Sequence, residues 1–204
     1  PNEYRTHTCG ELRESDIGKK VRVSGWLENV RDHGGVKFAD LRDQYGLVQV
    51  VVEDEEMLDG IPKESSIMVT GTVIERDEDT INKKLDTGYI EIVAETISVL
   101  GRVRSPLPFE VASSKEIKED LRLKYRFLDL RNREVQKNII LRSRVISFIR
   151  TKMTELGFLE IQTPILTSSS PEGARDYIIP SRKHPGKFYA LPQAPQVFKQ
   201  LLMV

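Results

Sequence analysis

The sequence predicts a chain of two parts, a small β-barrel followed by an α/β segment. Five stretches rich in β-branched residues occupy the first 100 residues, whereas the second half alternates helical and extended patterns. Charge divides the chain at nearly the same place. Residues 1–105 hold 14 basic and 21 acidic side chains, and residues 106–204 hold 17 and 10. A formal net charge of zero therefore conceals two halves of opposite electrostatic character, with balances of −7 and +7.

Alternating hydrophobicity and turn residues predict five strands in the first part. Turn signals separate the candidates, and a gap at residues 53–62 is long enough for a short helix between the third and fourth strands. Five strands with a helix at that point favour a Greek-key barrel of the OB type over residues 1–104. A β-sandwich is the main alternative. The strand candidates are residues 21–30, 35–43, 46–53, 66–76 and 88–100.

A change of composition after the barrel predicts a linker over residues 105–121. Pro106 and Pro108 lie close together and are followed by two serines, which is typical of a domain boundary. Ser113 or Ser114 is expected to cap a helix that begins near Lys115.

The third predicted division, residues 122–204, contains the strongest helix signal of the chain, residues 132–157. Apolar side chains follow the helical period on two stripes of this segment, Asn132 can cap its start, and Gly157 can end it. A helix that is apolar on two sides is buried on two sides. It is therefore either an ordinary core helix or part of a subunit interface.

Shorter elements are predicted after this helix. Residues 158–166 predict a strand interrupted by Pro164, and residues 176–181 and 187–192 predict a pair of strands joined by a turn. Pro195 suits the first turn of a helix that continues to the end of the sequence. A chain that stops inside a helix is expected to be a fragment of a longer protein.

Composition excludes several classes of protein. With 39% hydrophobic and 30% charged residues the chain is expected to be globular, and it has no apolar stretch near the roughly 20 residues that cross a bilayer. A single cysteine excludes a disulfide framework and a cysteine zinc site, and it favours a reducing, cytoplasmic location. The three histidines are scattered, so the sequence predicts no metal site.

Four residues of the barrel are candidates for binding RNA. Phe38 falls in the second predicted strand, where an exposed aromatic ring can stack on an unpaired base. Gln49 has the donor and acceptor groups that a base edge requires, and Arg31 can hold a phosphate or a base. His33 lies in the turn between these strands. The alternative is that Phe38 belongs to the core and that Gln49 is a solvated strand residue.

Charged residues of the second half are candidates for binding a small zwitterion. Glu172, Arg175 and Asp176 lie in a loop rich in serine, proline and glycine, and Gln196 and Lys199 share one face of the last helix. A lysine suits a carboxylate, and a glutamate suits an ammonium group. Together they would fit an amino acid with an extra carboxylate. The alternative is that these side chains are merely solvated.

Several strings, taken in order, resemble bacterial-type aspartyl-tRNA synthetases, which are class II enzymes. The strings of the second half are RLKYRFLDLRN (122–132), GFLEIQTPIL (157–166), PEGARDYIIPSR (171–182) and GKFYALPQAPQVFKQLLM (186–203). Residues 25–51 resemble the anticodon-binding OB domain with which that family begins. The resemblance covers essentially the whole chain.

The resemblance implies a role for each candidate. The long helix and the segment ending at Pro164 would form motif 1, the homodimer interface. Glu172 would contact the ammonium group of aspartate, and Lys199 would bind its side-chain carboxylate. The implied flipping loop is Ser170, Pro171, Glu172, Gly173, Ala174, Arg175 and Asp176, the implied aspartate pocket adds Gln196, Val197, Phe198 and Lys199, and the implied anticodon contacts are Arg31, Phe38 and Gln49. None of these residues is expected to be catalytic in the sense of transferring a proton.

Two further positions bear on the choice of tRNA. His33 stands where some members of the family that charge both tRNA(Asp) and tRNA(Asn) also have histidine. Asp79 occupies a second position linked with that relaxed specificity, and it is not the small residue expected there. The resemblance therefore leaves open whether an enzyme with this sequence discriminates between the two tRNAs.

The implied activity is that of an aspartate–tRNA ligase with ATP and Mg²⁺ as cofactors. L-aspartate would be activated to aspartyl-adenylate and transferred to tRNA(Asp) by a soluble, cytoplasmic homodimer. Motifs 2 and 3 of the family are expected beyond Val204, so the fragment alone is predicted to be inactive. The alternatives are an OB-fold RNA-binding module, an enzyme that also charges tRNA(Asn), and a related synthetase for asparagine or lysine.

Overall fold

The computed structural model describes residues 2–169, 175–191 and 194–203. The chain forms two compact units, Pro1–Asn138 and Ile139–Val204. The domain boundaries expected at 104/105 and 121/122 remain predictions.

The first unit contains a closed five-stranded barrel with the strand order β1-β2-β3-β5-β4. Neighbouring strands are antiparallel except for β3 and β5, which pair in parallel. A short 3₁₀ turn, Glu55–Leu58, lies between β3 and β4, and the Asp54 side chain caps it by accepting from the backbone N–H of Glu56. The OB-type barrel is thus confirmed and the sandwich alternative is wrong. The strands are β1 (Lys20–Asp32), β2 (Lys37–Arg42), β3 (Leu47–Val52), β4 (Ser66–Glu75) and β5 (Ile90–Gly101).

Alternation along the strands separates the core of the barrel from its outer face. In β2, Ala39 and Leu41 are fully buried in the core cluster, so Phe38, Asp40 and Arg42 project from the opposite face. The other strands supply branched aliphatic side chains to the same core. Examples are Val21, Val23 and Leu27 of β1, Val48, Val50 and Val52 of β3, Ile67, Val69 and Val73 of β4, and Ile90 and Ile92 of β5.

Residues 105–132 contain a small second core. Phe109, Val111 and Leu128 are buried together, and two short helices, α1 (Glu119–Lys124) and α2 (Arg126–Asp129), pack within this segment. The helix expected near Lys115 is wrong, because only one 3₁₀ turn forms there and Ser113 makes no capping bond.

Ser114, the other expected cap, does not cap a helix near Lys115 because its side chain has another partner. The hydroxyl of Ser114 is buried and donates to Oδ1 of Asp129 at 2.9 Å. It ties the 3₁₀ turn to α2 instead of capping a helix.

The long helix α3 (Arg133–Glu155) confirms the strongest prediction of the sequence. Asn132 caps it, because its Oδ1 accepts from the backbone N–H groups of Glu134 at 2.9 Å and Val135 at 3.4 Å. The same side chain donates through Nδ2 to the carbonyl oxygens of Val111 at 2.9 Å and Ala112 at 3.0 Å. One asparagine therefore fixes the start of α3 to the second core.

The second unit contains a hairpin and a short helix. The hairpin of β6 (Tyr177–Pro180) and β7 (Phe188–Leu191) confirms the predicted pair, and α4 (Gln196–Leu201) follows it. The strand expected over residues 158–166 is wrong. Pro164 has no N–H to donate, and within the described residues this part of the chain makes only the isolated bridge Thr167–Ala190 beyond its end.

Among the helices of residues 2–169, 175–191 and 194–203, none combines the length and the apolar character that crossing a bilayer requires.

Candidate functional site

The predicted RNA-contacting residues come together on the outer face of the barrel. Arg31 of β1 lies opposite Phe38 of β2, and Asp40 of β2 lies opposite Gln49 of β3. Side chains opposite each other across antiparallel strands are immediate neighbours. The register therefore gathers residues from four strands into one site, which we call the polar face, comprising Arg31, Phe38, Asp40, Gln49 and Glu91.

A continuous chain of hydrogen bonds crosses the polar face. Arg31 donates to both oxygens of Asp40, at 2.6 and 2.9 Å, and also to Oε1 of Gln49 at 3.1 Å. Gln49 in turn donates through Nε2 to Oε2 of Glu91 at 2.8 Å. The contact with Asp40 raises the pKa of Arg31, because the hydrogen bonds to the carboxylate favour the charged guanidinium and outweigh the effect of burial. These bonds hold each polar group in one orientation.

Gln49 is not the solvated strand residue of the alternative hypothesis. It is 8% exposed, and both ends of its amide are engaged with charged neighbours. Its carbonyl group faces Arg31 and its NH₂ group faces Glu91. Gln49 is therefore suited to holding these two charged groups at a fixed spacing, and one lone pair and one hydrogen of its amide are left for a ligand.

Phe38 lies partly exposed beside His33. The two rings meet edge to face, with centroids 5.4 Å apart and planes at 86°. The turn that carries His33 requires glycine, because Gly34 and Gly35 have φ values of 73° and 106°. His33 thus borders the aromatic surface on which a base could stack.

Sequence reasoning missed three residues that belong to or border the polar face. Asp40 could have been found from its two-residue spacing to Phe38 on the same strand. Glu91 and Arg76 could not, because only the tertiary structure places β5 between β3 and β4. Arg76 is 5% exposed and donates from Nε to the Ile90 carbonyl oxygen at 2.9 Å.

The environment of Arg76 is unusual for an arginine. Burial lowers its pKa, and the charge of Arg31 adds to that effect, whereas Glu91 and Asp40 oppose it. Within the described residues its Nη2 atom has no hydrogen-bond partner. This donor is shielded from solvent, so it lies beneath the polar face and outside its exposed surface.

Asp79, the second position expected to bear on tRNA choice, lies apart from these contacts. It belongs to the exposed 3₁₀ turn Glu78–Thr80 that follows β4. Its role stays a prediction.

The predicted aspartate pocket is described only in part. Gln196, Val197, Phe198 and Lys199 all lie on α4, and Lys199 is exposed. Five residues of the expected flipping loop lie outside the described residues: Ser170, Pro171, Glu172, Gly173 and Ala174. The expected approach of Glu172 to Lys199 therefore stays a prediction.

The remaining loop and interface residues are placed as follows. Arg175 is exposed, and Asp176 accepts from the Ser169 hydroxyl at 2.9 Å. Pro164 is exposed within the extended segment after α3. The dimer interface expected there stays a prediction.

Two protein-family models match the chain. Residues 21–100 match the model described as an OB-fold nucleic acid binding domain, and residues 118–204 match the model described as tRNA synthetases class II (D, K and N). The first match spans the barrel strands and the second begins just before α1.

Curated relatives match over the whole length of this chain. The aspartate–tRNA(Asp/Asn) ligase of Pelagibacter ubique is 56% identical over 207 residues, and the aspartate–tRNA ligase of Streptomyces avermitilis is 55% identical over 207 residues. Each comparison covers 100% of this chain and 35% of the relative. The chain thus spans about a third of the length of the curated relatives it matches.

A solved structure supports the same relationship. The asparaginyl-tRNA synthetase of Pyrococcus horikoshii, complexed with asparaginyl-adenylate, matches with a TM-score of 0.81 and 25% identity, covering 97% of this chain and 44% of that one. The fold and the sequence therefore agree. Residues 118–204 match the class II tRNA synthetase (D, K and N) family, and along its whole length the chain is similar to part of the aspartate–tRNA ligases.

Proposed function

We propose that this chain supplies the anticodon-binding part and a portion of the aspartate-binding part of an aspartate–tRNA ligase. The complete enzyme would activate L-aspartate with ATP and transfer the aspartyl group to tRNA(Asp). The observation that carries the proposal is the polar face, where a partly exposed Phe38 lies opposite an oriented Arg31–Gln49–Glu91 chain. Stacking and base-edge hydrogen bonds are the means by which unpaired RNA bases are recognised.

Electrostatics favours a local RNA site over a broad basic surface. Residues 1–105 carry a balance of −7, so their summed field repels a polyanion. Arg31, whose side chain is 41% exposed, is already paired with Asp40. Recognition on this face therefore depends on stacking and on directed hydrogen bonds more than on phosphate attraction.

The aspartate-binding part rests on α4 and on the flipping-loop resemblance. Lys199 presents an exposed cation on the same short helix as Gln196. A point charge of this kind can bind the side-chain carboxylate of aspartate, with Glu172 as the expected partner for the ammonium group.

ATP and Mg²⁺ would take part in the complete reaction. ATP would supply the adenylyl group, and Mg²⁺ would neutralise charge on its phosphates. Among residues 2–169, 175–191 and 194–203, no group of three or more His, Cys, Asp or Glu side chains could hold a metal ion. We therefore assign no residue of this chain to Mg²⁺ or ATP.

A homodimer formed through α3 and the segment after it is supported by exposed apolar side chains. Leu141, Phe148 and Leu156 of this region are 59%, 68% and 62% exposed, and Leu159 is 85% exposed. Large exposed apolar surfaces of this kind mark interaction sites. A second copy of the chain would cover them in the proposed enzyme.

The choice between tRNA(Asp) alone and both tRNA(Asp) and tRNA(Asn) depends on the polar face. We propose that His33 contributes to this choice, because its ring contacts Phe38 directly. The anticodons of the two tRNAs differ in one pyrimidine, which is a cytosine in one and a uracil in the other. Hairpins of the two sequences should therefore separate the two possibilities by their affinities.

The test is a titration of the chain with an RNA hairpin that carries the aspartate anticodon. Phe38→Ala should weaken binding by about 1–3 kcal/mol, because a stacked base loses its ring partner. Tyr45→Ala is a matched control, since Tyr45 is 59% exposed but lies in the turn between β2 and β3. An unaltered dissociation constant in the Phe38 variant, or an equal loss in the Tyr45 variant, would count against the proposal.

A further inference from the structure

Four side chains connect the barrel to the segment that leads into α3. Arg131, which lies between α2 and α3, donates from Nη1 to Oε2 of Glu64 at 2.9 Å. Arg42 of β2 donates to the other oxygen of Glu64 and, at 3.3 Å, to the backbone carbonyl of Arg131. The fourth member is Trp26 of β1. We call Trp26, Arg42, Glu64 and Arg131 the arginine joint.

Both guanidinium groups lie close to the indole ring of Trp26. The guanidinium carbon of Arg131 is 4.4 Å from the centre of the indole ring, and that of Arg42 is 5.4 Å away. Cation–π contacts at these distances are attractive, and they strengthen when the groups are shielded from water. Arg42 is 3% exposed and Glu64 is 6% exposed, so the centre of the joint is shielded.

Glu64 has an unusual backbone conformation, which the contacts of the arginine joint hold in place. Glu64 has a φ of 63°, the only positive value at a non-glycine residue among the described residues. Residues with a Cβ atom disfavour that region, and such conformations persist only where their surroundings enforce them. Here the backbone N–H of Glu64 donates to the Leu27 carbonyl at 2.7 Å, while its carboxylate binds both arginines.

The joint and the polar face share one strand. Phe38, Asp40 and Arg42 project from the same side of β2, so the proposed stacking residue and the joint are separated by about 13 Å of a strand paired on both sides. On the other side of the joint, Arg131 is followed by Asn132, the cap of α3. A rigid path therefore runs from the RNA-binding face to the first turn of α3.

The apolar contacts do not explain this connection. The buried residues of the barrel and those of residues 105–132 form two separate clusters. Two described ion pairs connect the barrel with residues 105–132, namely Arg131–Glu64 and Lys63–Glu110. The charged atoms of Lys63 and Glu110 are 3.8 Å apart, and their side chains are 48% and 66% exposed. Exposed pairs contribute little, whereas the Arg131–Glu64 pair involves a carboxylate that is 5% exposed and that also binds Arg42.

We propose that Arg131 is a positioning residue, which holds the first turns of α3 at a fixed distance and direction from RNA bound on the polar face. This inference rests on the proposed function. The role of Arg131 is to orient a tRNA held by its anticodon with respect to the first turns of α3. Arg131 does this through Glu64 and Trp26, without touching RNA.

The direct test measures distances between spin labels. One label is placed at Lys137 on α3 and the other on the stem end of a bound hairpin RNA, since Lys137 is exposed and the native Cys9 is fully buried. The unsubstituted chain should give a narrow distance distribution. Arg131→Ala should broaden it about twofold, while the dissociation constant of the hairpin stays within about twofold of its original value.

Matched variants separate positioning from general destabilisation. Lys63→Ala removes the exposed pair at the same boundary and should leave the distribution narrow. Arg131→Lys keeps the charge but loses the planar fork, so it should restore the narrow distribution only in part. Trp26 is the only tryptophan of the sequence, and its emission should shift in Arg131→Ala and in Glu64→Gln but not in Lys63→Ala.

The outcomes distinguish this inference from the function on which it rests. If the unsubstituted chain does not bind the hairpin, the proposed function fails. A second pair of labels, at the exposed Glu53 and at Lys137, then still reports on the joint. If the hairpin binds and Arg131→Ala leaves both label distributions as narrow as before, the positioning role is overturned and the RNA-binding proposal stands.

Discussion

Arg31 and Asp40 are joined by two hydrogen bonds across β1 and β2, with Nη1–Oδ2 and Nη2–Oδ1 distances of 2.6 and 2.9 Å. This geometry uses both oxygens of the carboxylate and both terminal nitrogens of the guanidinium. It fixes the plane of the arginine and reduces its net charge towards RNA. A basic residue held in this way is suited to recognising one arrangement of a ligand and attracts polyanions only weakly.

The first prediction concerns this pair. Asp40→Asn should increase the affinity for RNA of any sequence, because the positive charge of Arg31 is no longer balanced. The slope of log affinity against log salt concentration should steepen by about the amount that one additional phosphate contact contributes. The preference for the aspartate anticodon over a scrambled loop should fall. Fluorescence anisotropy at several salt concentrations measures both effects. An unchanged preference would show that Asp40 does not orient Arg31.

The second prediction concerns Gln49 as the link between two charged groups. Gln49→Leu should lower the free energy of unfolding by about 0.5–1.5 kcal/mol, because the largely buried amide of Gln49 no longer bonds to Arg31 and Glu91. Urea denaturation followed by circular dichroism measures the change. Gln44→Leu is the matched control, since Gln44 is exposed in the turn after β2 and should have little effect. A loss equal to that of the control would contradict the prediction.

The third prediction is a pH dependence that originates at Asp129. Burial of Asp129 disfavours its charged form, but hydrogen bonds from Arg122 and Ser114 and the charges of Arg122 and Arg126 outweigh this, so the pKa of Asp129 lies below its ordinary value. A carboxyl group whose pKa is lowered in the folded state stabilises the fold at pH values above its pKa in the unfolded chain, which is about 3.9 for aspartate. That stability is lost as the pH falls through the folded-state pKa.

Acid should therefore loosen the second core when the pH falls below about 4. Asp129→Asn should be less stable at neutral pH and should show a weaker dependence on acid. Amide hydrogen exchange of residues 105–132 at several pH values measures the effect. Asp120→Asn, at an exposed position of α1, serves as the control. An acid response of the same size in the Asp129 variant and in the native chain would exclude this assignment.

The fourth prediction concerns the proposed aspartate pocket. Lys199→Met keeps an unbranched side chain of similar length and removes its charge. If Lys199 binds the side-chain carboxylate, the affinity for L-aspartate should fall by about 1.5–3 kcal/mol, the range for a charge-assisted hydrogen bond. Isothermal titration calorimetry on the protein that contains this chain measures the change. Lys187→Met, before β7, is the control, and equal aspartate affinities in the native and Lys199 proteins would defeat the assignment.

Most of the secondary structure could be predicted from the sequence because it is encoded locally. Alternating β-branched residues in each barrel strand specify one buried face, and the five observed strands fall where this pattern predicts them. The helical period of its apolar residues and its capping residue Asn132 were likewise sufficient to predict α3. The errors arose where a side chain had a distant partner, as for Ser114, or where a strand pattern had no neighbouring strand, as for residues 158–166.

The sequence by itself determined where the strands lie and identified Arg31, Phe38 and Gln49 as candidates, because alternation and residue type are local properties. Only the tertiary structure decided which groups these residues meet. Glu91 is 42 positions from Gln49 in the chain, and Glu64 is 67 positions from Arg131. Hydrophobic alternation fixes the direction of a side chain, whereas barrel closure and strand register fix its neighbours. Register depends on the packing of the whole core, which no local stretch of sequence specifies.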